Sequence, residues 1–490
     1  MTFANQHGTN SSHHGETSPL LPSSNGHENG HSPHTFADGI AHEGESGRSG
    51  FHIRHFLHCV WRSSSNVSKA VNILWPFVII AIVLNYATEA PLWIFAMSYI
   101  GMVPAANLLG FAGQEFARKM PKVAGILIET TFGSVVEIIL FVVLIVKHKT
   151  SDEAEGGNGD EGNLIPIIQA AILGSILTNL LLCLGICFFV GGIRQHTKNQ
   201  EFHGVISEVG SGLLLVAAFG LLIPSAFYSA LKSETVAALQ EHFTKSKLQE
   251  DILSISRSTA VVLIVAYGLY LLYSCLSAHS IFDEVIEQDE HRDADREQDE
   301  KKMKLTLTET FVALVISIIF VAWLLIILVE QLEEVVESGV PDQFLGLILL
   351  PLVEKAAEHL TAIDEAWDGV INVALYHCIG PSIQTALFNA PLVVLIAWAL
   401  GKPLDLNFEI FMIALLVLSI LVVGNFLRDQ ESNWLEGALL VIVYVIIAIA
   451  SFYYPDPDVA TSNGLEELVT QNVTIPAELY KQLLDLLPVQ

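Results

Sequence analysis

The chain has 490 residues, of which 52% are hydrophobic and 16% charged, and its formal net charge is −28. Soluble domains carry about 25% charged residues, so this composition predicts a membrane protein rather than a soluble enzyme. Nucleic acid is excluded as a partner, because 52 acidic residues outnumber 24 Lys and Arg and binding needs clustered bases. The five cysteines form no CxxC pair, which favours buried thiols over a disulfide framework.

Residues 1–65 are predicted to be a disordered cytosolic N-terminal region. They are rich in Ser, Gly and His and contain no apolar run that would offset the entropy of ordering. Within them, Glu16, Leu20 and Leu21 match an acidic dileucine sorting signal, a short pattern that also arises by chance. If the signal works, sorting adaptors bind it and the chain travels to a vacuole or lysosome.

Apolar segments long enough to cross a bilayer follow one another from the first transmembrane helix (66–90) onward. Long uninterrupted runs favour helices over barrel strands, because each span must satisfy its own backbone polar groups. The fold is therefore predicted to be an all-α membrane protein with about 11 transmembrane helices. The apolar segments are 71–89, 91–112, 122–147, 164–192, 205–231, 256–278, 308–330, 341–367, 370–400, 408–427 and 434–454.

Basic residues between the spans predict the orientation, because they accumulate on the cytosolic side. They precede the first span and follow the second and fourth: Arg54, Arg62, Lys69, Arg118, Lys119, Lys122, Arg194 and Lys198. This pattern predicts a cytosolic N-terminus. After eleven spans, the C-terminal tail (456–490) would lie in a lumen. The lipid bilayer would surround the helices between the two termini.

An acidic cytosolic linker or helix at 281–305 divides the remaining spans into two groups of five. Gly125 to Glu137 in the first group (91–280) aligns without a gap with Gly346 to Glu358 in the second (306–455). Because five is odd, the two repeats would cross the membrane in opposite directions. Such inverted repeats are typical of secondary transporters, whose substrate binds between the halves.

Each half therefore places a glutamate inside the membrane, Glu137 in one and Glu358 in the other. A charge there costs ~2.5–3.5 kcal/mol, which favours an ion or proton pathway over a structural ion pair of Glu354, Lys355 and Glu358. Ca²⁺ takes six to eight oxygen ligands. Two close carboxylates also bind protons tightly, so metal and protons would compete. Further polar residues predicted along this pathway are Gln169, Ser175, Asn179, Ser382 and Gln384.

Several motifs in order resemble the vacuolar calcium/proton exchanger family of the sodium/calcium exchanger superfamily, over roughly residues 70–455. They include Phe132 to Glu137, Ala356 to Ala362 and Ser382 to Phe388. The resemblance implies a secondary antiporter without a cofactor, not an enzyme, that moves Ca²⁺ into the vacuole in exchange for protons. It also implies that Glu137 and Glu358 bind the metal, and that His359 matches a histidine of the family motif.

The motifs depart from the family pattern at the cation site. Ser134 and Lys355 replace two asparagines, Glu354 replaces a glycine, and Glu129 stands where an asparagine is usual. An ammonium beside Glu358 would repel a divalent cation. Three interpretations stay open: a Ca²⁺ or Mn²⁺/proton antiporter, a divergent homologue with altered ion choice or a sensor or scaffold role, and an intramembrane hydrolase. The last lacks an H-E-x-x-H signature.

Overall fold

The computed structural model describes residues 50–120, 122–148, 163–194, 199–231, 245–277 and 303–454, except for the side chains of 122–127, 129–130, 245–246 and 275–277. Helices dominate this part of the chain. They are α1 (Ile53–Arg62), α2 (Asn66–Ala87), α3 (Pro91–Ala117), α4 (Lys122–Lys147), α5 (Ile165–Arg194), α6 (Gly204–Leu231), α7 (Lys245–Ser277), α8 (Leu307–Glu330), α9 (Leu332–Glu337), α10 (342–354), α11 (Ala356–Asp368), α12 (Ile371–Ala399), α13 (Ile410–Phe426) and α14 (Trp434–Phe452).

The prediction of an all-α membrane protein is confirmed. Within the described residues, 8 helices are long and apolar enough to cross a membrane, and α13 is a shorter apolar helix. Many large apolar side chains lie on the outside of the bundle, among them Ile79, Val262, Leu269, Ile319 and Ile446. Such a surface suits lipid rather than water. The total of eleven spans stays a prediction.

The prediction of disorder for residues 1–65 is wrong for α1. This helix buries His55, Phe56 and Cys59 against the bundle. The segment is amphipathic, with six apolar residues among its ten, so it can bury one face although the residues before it are polar. Nδ1 of His55 also lies 2.8 Å from Oε2 of Glu309 at the start of α8. The dileucine residues, the acidic linker up to residue 302 and the tail from residue 455 lie outside the described residues.

Two glycines allow α5 and α10 to pack backbone against backbone. A Cβ atom at Gly174 would lie 2.2 Å from the carbonyl oxygen of Leu347, and one at Gly346 would lie 2.5 Å from Cβ of Ala170. Pro351 lacks the N–H that would bind the Leu347 oxygen in a regular helix. The crossing therefore brings the middle of α5 against the residues that lead to Glu354 and Lys355.

Three helices contain a wide π-helical turn near the middle of the bundle: 178–183 in α5, 345–349 in α10 and 385–389 in α12. Helix α10 then stops, and Lys355 alone separates it from α11. Interruptions of this kind are frequent at functional sites and at the ion sites of transporters. The side chains on these interrupted segments are therefore candidates for the functional site.

A two-residue antiparallel ladder joins two connecting segments at one end of the bundle. In it, β1 (Gln200–Glu201) pairs with β2 (Glu431–Ser432), with Gln200 opposite Ser432. Helix α14 packs closely on α5, because a Cβ atom at Gly437 would lie 2.3 Å from the backbone nitrogen of Phe189.

Candidate cation-binding site

The ammonium of Lys355 lies between the two glutamates that the sequence singles out. Nζ of Lys355 is 2.9 Å from Oε2 of Glu137 and 3.6 Å from Oε1 of Glu358. Glu137 and Lys355 are fully buried, whereas the side chain of Glu358 is 18% exposed. The acids of α4 and α11 therefore meet, as predicted, but they do so through a positive charge that the chain itself supplies.

The carboxylate of Glu137 also receives hydrogen bonds from helix α12. The hydroxyl of Thr385 lies 2.9 Å from each carboxylate oxygen, and Nδ2 of Asn389 donates to Oε2 at 3.0 Å. Both residues belong to the π-helical turn 385–389, which faces them toward α4. The hydrogen bonds and the ammonium together hold a charged carboxylate inside an apolar bundle.

Sequence reasoning missed Thr385 and Asn389. A signal was available, because the two polar residues stand four apart and so share one face of the helix, directly after the predicted Ser382 and Gln384. Their partner on another helix, however, is visible only in the folded chain.

Glu358 has a different environment from Glu137. It lines a pocket together with Asn107, Gln114, Thr361 and His377. A Cβ atom at residue 133 would lie 2.5 Å from Oε1 of Glu358, so Gly133 of α4 makes room for the carboxylate. Glu137 is thus fully buried in the bundle, whereas Glu358 contacts the Lys355 ammonium and also lines a pocket.

Two further predicted residues lie close to this centre. Glu354 is buried, and its carboxylate lies near the Ser175 hydroxyl and the Lys355 ammonium. Neither carboxylate oxygen has a hydrogen-bond partner among the described residues. His359 is buried as well, and its Nε2 lies 2.9 Å from Oδ1 of Asn179. Asn179 belongs to the π-helical turn of α5, so this contact joins α5 to α11.

The remaining predicted residues differ in their surroundings and hydrogen bonds. Ser134 is buried one turn before Glu137, and its hydroxyl has no hydrogen-bond partner among the described residues. The same holds for the side-chain oxygen of Gln384. Ser382 donates to the carbonyl oxygen of Cys378 within its own helix. The side chain of Glu129 lies outside the described residues.

Gln169 is held by the connection between α12 and α13. Its Nε2 donates to Oδ1 of Asp405 at 2.8 Å, and the backbone N–H of Asn407 donates to the same oxygen at 3.0 Å. Burial raises the pKa of Asp405 to about 6, although both hydrogen bonds lower it. The Gln169 amide is therefore directed to Asp405 instead of the glutamates.

The raised pKa of Asp405 leads to a prediction about stability. The folded state binds this proton more tightly than the unfolded chain, so the stabilising effect is complete below about pH 3.8 and is lost as the pH rises through about 6. We expect Tm to rise as the pH falls from about 7 to about 5. Asp405→Asn should remove on the order of 1–3 kcal/mol of the pH-dependent free energy of unfolding. Thermal unfolding of both proteins across this range checks the difference. Parallel profiles would show that Asp405 does not contribute.

The arrangement can hold one cation between two acids, with neutral oxygen atoms nearby. Oδ1 of Asn389, Oε2 of Glu358 and the hydroxyl of Ser134 have no hydrogen-bond partner among the described residues. Carboxylate, amide and hydroxyl oxygens are the ligands of hard cations such as Ca²⁺. The Lys355 ammonium now stands where a cation bridging Glu137 and Glu358 would bind.

Comparisons with known proteins agree with this architecture. A model of the sodium/calcium exchanger protein family matches residues 90–276 and 309–453. Vacuolar cation/proton exchanger 2 of Oryza sativa subsp. japonica is 33% identical over 392 residues, which cover 79% of this chain and 82% of that protein. The Ca²⁺/H⁺ antiporter of Aphanothece halophytica is 32% identical over 368 residues, covering 74% and 90%. A solved structure of native YfkE has a TM-score of 0.60 at 25% identity and covers 78% of this chain and 100% of its own.

Helices interrupted beside buried charged groups are typical of secondary transporters that cross the membrane many times. Within that class, the chain belongs to the sodium/calcium exchanger protein family, since the family model matches well over half of its residues. The family resemblance seen in the sequence motifs is thereby confirmed. Membership in a transporter family also favours a secondary transporter over the intramembrane hydrolase.

Proposed function

We propose that the protein is a vacuolar cation/proton antiporter that moves Ca²⁺ or Mn²⁺ from the cytosol into the vacuole in exchange for protons. The observation that carries the proposal is that Glu137 and Glu358, from the two segments that match the family, converge on one cation-sized position. The names of the relatives, which include vacuolar cation/proton exchangers and a vacuolar calcium ion transporter, support the same function and location.

In the proposed cycle, metal and ammonium compete for the two carboxylates. A divalent cation that enters displaces Nζ of Lys355, whose long stem can turn toward Glu354. When the metal leaves on the other side, protons and the ammonium neutralise the acids again. One positive charge is thus always available to Glu137, which keeps a bare carboxylate out of the low-dielectric interior.

The pocket beside Glu358 supports entry from the cytosol. Its lining includes Ser64, which precedes the first span, and Gln114 near the end of α3. In the proposed orientation, with a cytosolic N-terminus and a lumenal C-terminus, both residues lie toward the cytosol. The two five-helix repeats at 91–280 and 306–455, and delivery through Glu16, Leu20 and Leu21, belong to the same proposal.

Uptake into vesicles tests the proposal. Purified protein is reconstituted with an acidic interior, and entry of radioactive Ca²⁺ or Mn²⁺ is measured. We expect uptake above that of empty vesicles, and its loss when an ionophore dissipates the proton gradient. Correctly inserted protein that takes up neither metal would overturn the proposal.

A second function, in which Lys355 stays in place, is favoured by one specific observation. The ion pair with Glu137 is short at 2.9 Å, and both partners are fully buried. A fixed ammonium would exclude divalent cations and leave a homologue with another ion choice or no transport. The two functions differ in whether the wild-type protein takes up Ca²⁺ or does so only after Lys355 is replaced.

A further inference from the structure

Three buried cysteines, none of which belongs to the glutamate site, form a cluster between α5 and α12. Cys183 and Cys187 lie one turn apart in α5, and Cys378 lies on the facing side of α12. Sγ of Cys378 is 3.4 Å from Sγ of Cys183 and 3.9 Å from Sγ of Cys187, and all three sulfurs lie within 4.8 Å of one another. All three thiols are free and fully buried.

The spacing of the sulfurs matches that of thiolates that share one ion. Zn–S bonds of about 2.3 Å at tetrahedral angles place two sulfurs ~3.8 Å apart. The separations within the cluster lie around this value, so an ion could bind with little movement of the helices. Sulfur ligands select soft ions over the hard cations that oxygen atoms bind.

The buried position also restricts the charge of the occupant. Three thiolates around a divalent ion carry a net negative charge, and an uncompensated charge in an apolar interior is strongly unfavourable. Trivalent arsenic forms a neutral complex with three thiolates. Its hydrated form, As(OH)₃, is a small uncharged molecule and brings no charge into the bundle.

We propose that Cys183, Cys187 and Cys378 form a three-sulfur site for a thiophilic metal or metalloid ion, with trivalent arsenic as the occupant that best suits its charge. Binding follows As(OH)₃ + 3 R–SH → As(SR)₃ + 3 H₂O. Three As–S bonds form, three As–O bonds break, and each thiol proton leaves with a hydroxide as water. No atom is oxidised or reduced.

Occupation of the site would connect the two halves of the protein. Cys183 and Cys187 belong to the first segment that matches the family, and Cys378 belongs to the second. Secondary transporters work by moving one such half against the other. The ion would therefore fix α5 to α12 and stop antiport, a consequence that rests on the proposed function, whereas binding itself does not.

The binding test uses arsenite and X-ray absorption at the arsenic edge on purified full-length protein. We expect one arsenic per chain with three sulfur neighbours, both in the wild type and in the control Cys59→Ser. Affinity should fall at least about tenfold in Cys378→Ser and in Cys187→Ser. Because Cys59 and Cys275 are the two remaining cysteines, three sulfur neighbours cannot come from outside the cluster. Oxygen-coordinated arsenic in the wild type, or unchanged affinity in both cluster variants, would overturn the site.

A second measurement tests the consequence for transport. Arsenite should abolish metal uptake by the wild type and by Cys59→Ser but spare Cys378→Ser. Uptake that continues with arsenic bound to three sulfurs would overturn the locking of the two halves. If the wild type shows no uptake before arsenite is added, the antiporter proposal fails while the binding result stands by itself.

Discussion

Lys355→Asn is expected to create or strengthen Ca²⁺ uptake, lowering the half-saturating Ca²⁺ concentration by about tenfold or more. The substitution removes the ammonium that lies 2.9 Å from Glu137 and 3.6 Å from Glu358. It also adds an amide oxygen, which is a suitable Ca²⁺ ligand. Proton-driven uptake of radioactive Ca²⁺ into vesicles measures the change.

The same variant should respond to Ca²⁺ in its stability. Without the ammonium, Glu137, Glu354 and Glu358 form a buried group of acids that is less stable than the wild type in the absence of metal. Ca²⁺ bound to the folded state then raises the free energy of unfolding through mass action, by about 2.7 kcal/mol at a hundred times the Kd, and Tm rises with it. We expect a much smaller response in the wild type.

Lys147→Asn is the matched control for these measurements. Lys147 also forms an ion pair, 2.7 Å from Glu330, but the two side chains are 43% and 38% exposed instead of buried. The control should behave like the wild type. Ca²⁺ uptake and Ca²⁺-dependent Tm that do not change in Lys355→Asn would show that the ammonium does not control cation binding.

Glu137→Gln is expected to abolish transport and to lower the free energy of unfolding by about 3–5 kcal/mol. The substitution leaves the buried Lys355 ammonium without its closest partner and alters the hydrogen bonds from Thr385 and Asn389. A buried charge without its partner is far less favourable than no charge at all. Thermal unfolding of the purified protein and vesicle uptake measure the two effects.

The double variant Glu137→Gln, Lys355→Met separates structure from function. Methionine fills much of the same volume without a charge, so at least half of the lost stability should return, while transport stays absent. Glu330→Gln, which removes an exposed ion pair, is the control and should change stability by less than about 1 kcal/mol. A Glu137→Gln protein as stable as the wild type would contradict the structural role of the pair.

The pattern of residues along the chain predicts much of the fold. Spans of apolar residues indicate helices, because a bilayer leaves the backbone no other partner. Intramembrane acids are rare enough that Glu137 and Glu358 stand out without coordinates. The average composition of residues 1–65 fails at α1, where a short amphipathic segment packs Phe56 and Cys59 against the bundle and His55 contacts Glu309.

The composition and motifs of this sequence by themselves determine a helical membrane protein of the exchanger family with acids inside the membrane. Tertiary structure alone decides which charge neutralises Glu137. Lys355 lies 218 positions away in the chain, and from the sequence its ammonium could equally have paired with its neighbours Glu354 or Glu358. It also decides that Thr385 and Asn389 bind the same carboxylate and that three cysteines meet. These contacts join distant helices, and their formation depends on how glycine crossings and interrupted turns orient side chains, which no local pattern specifies.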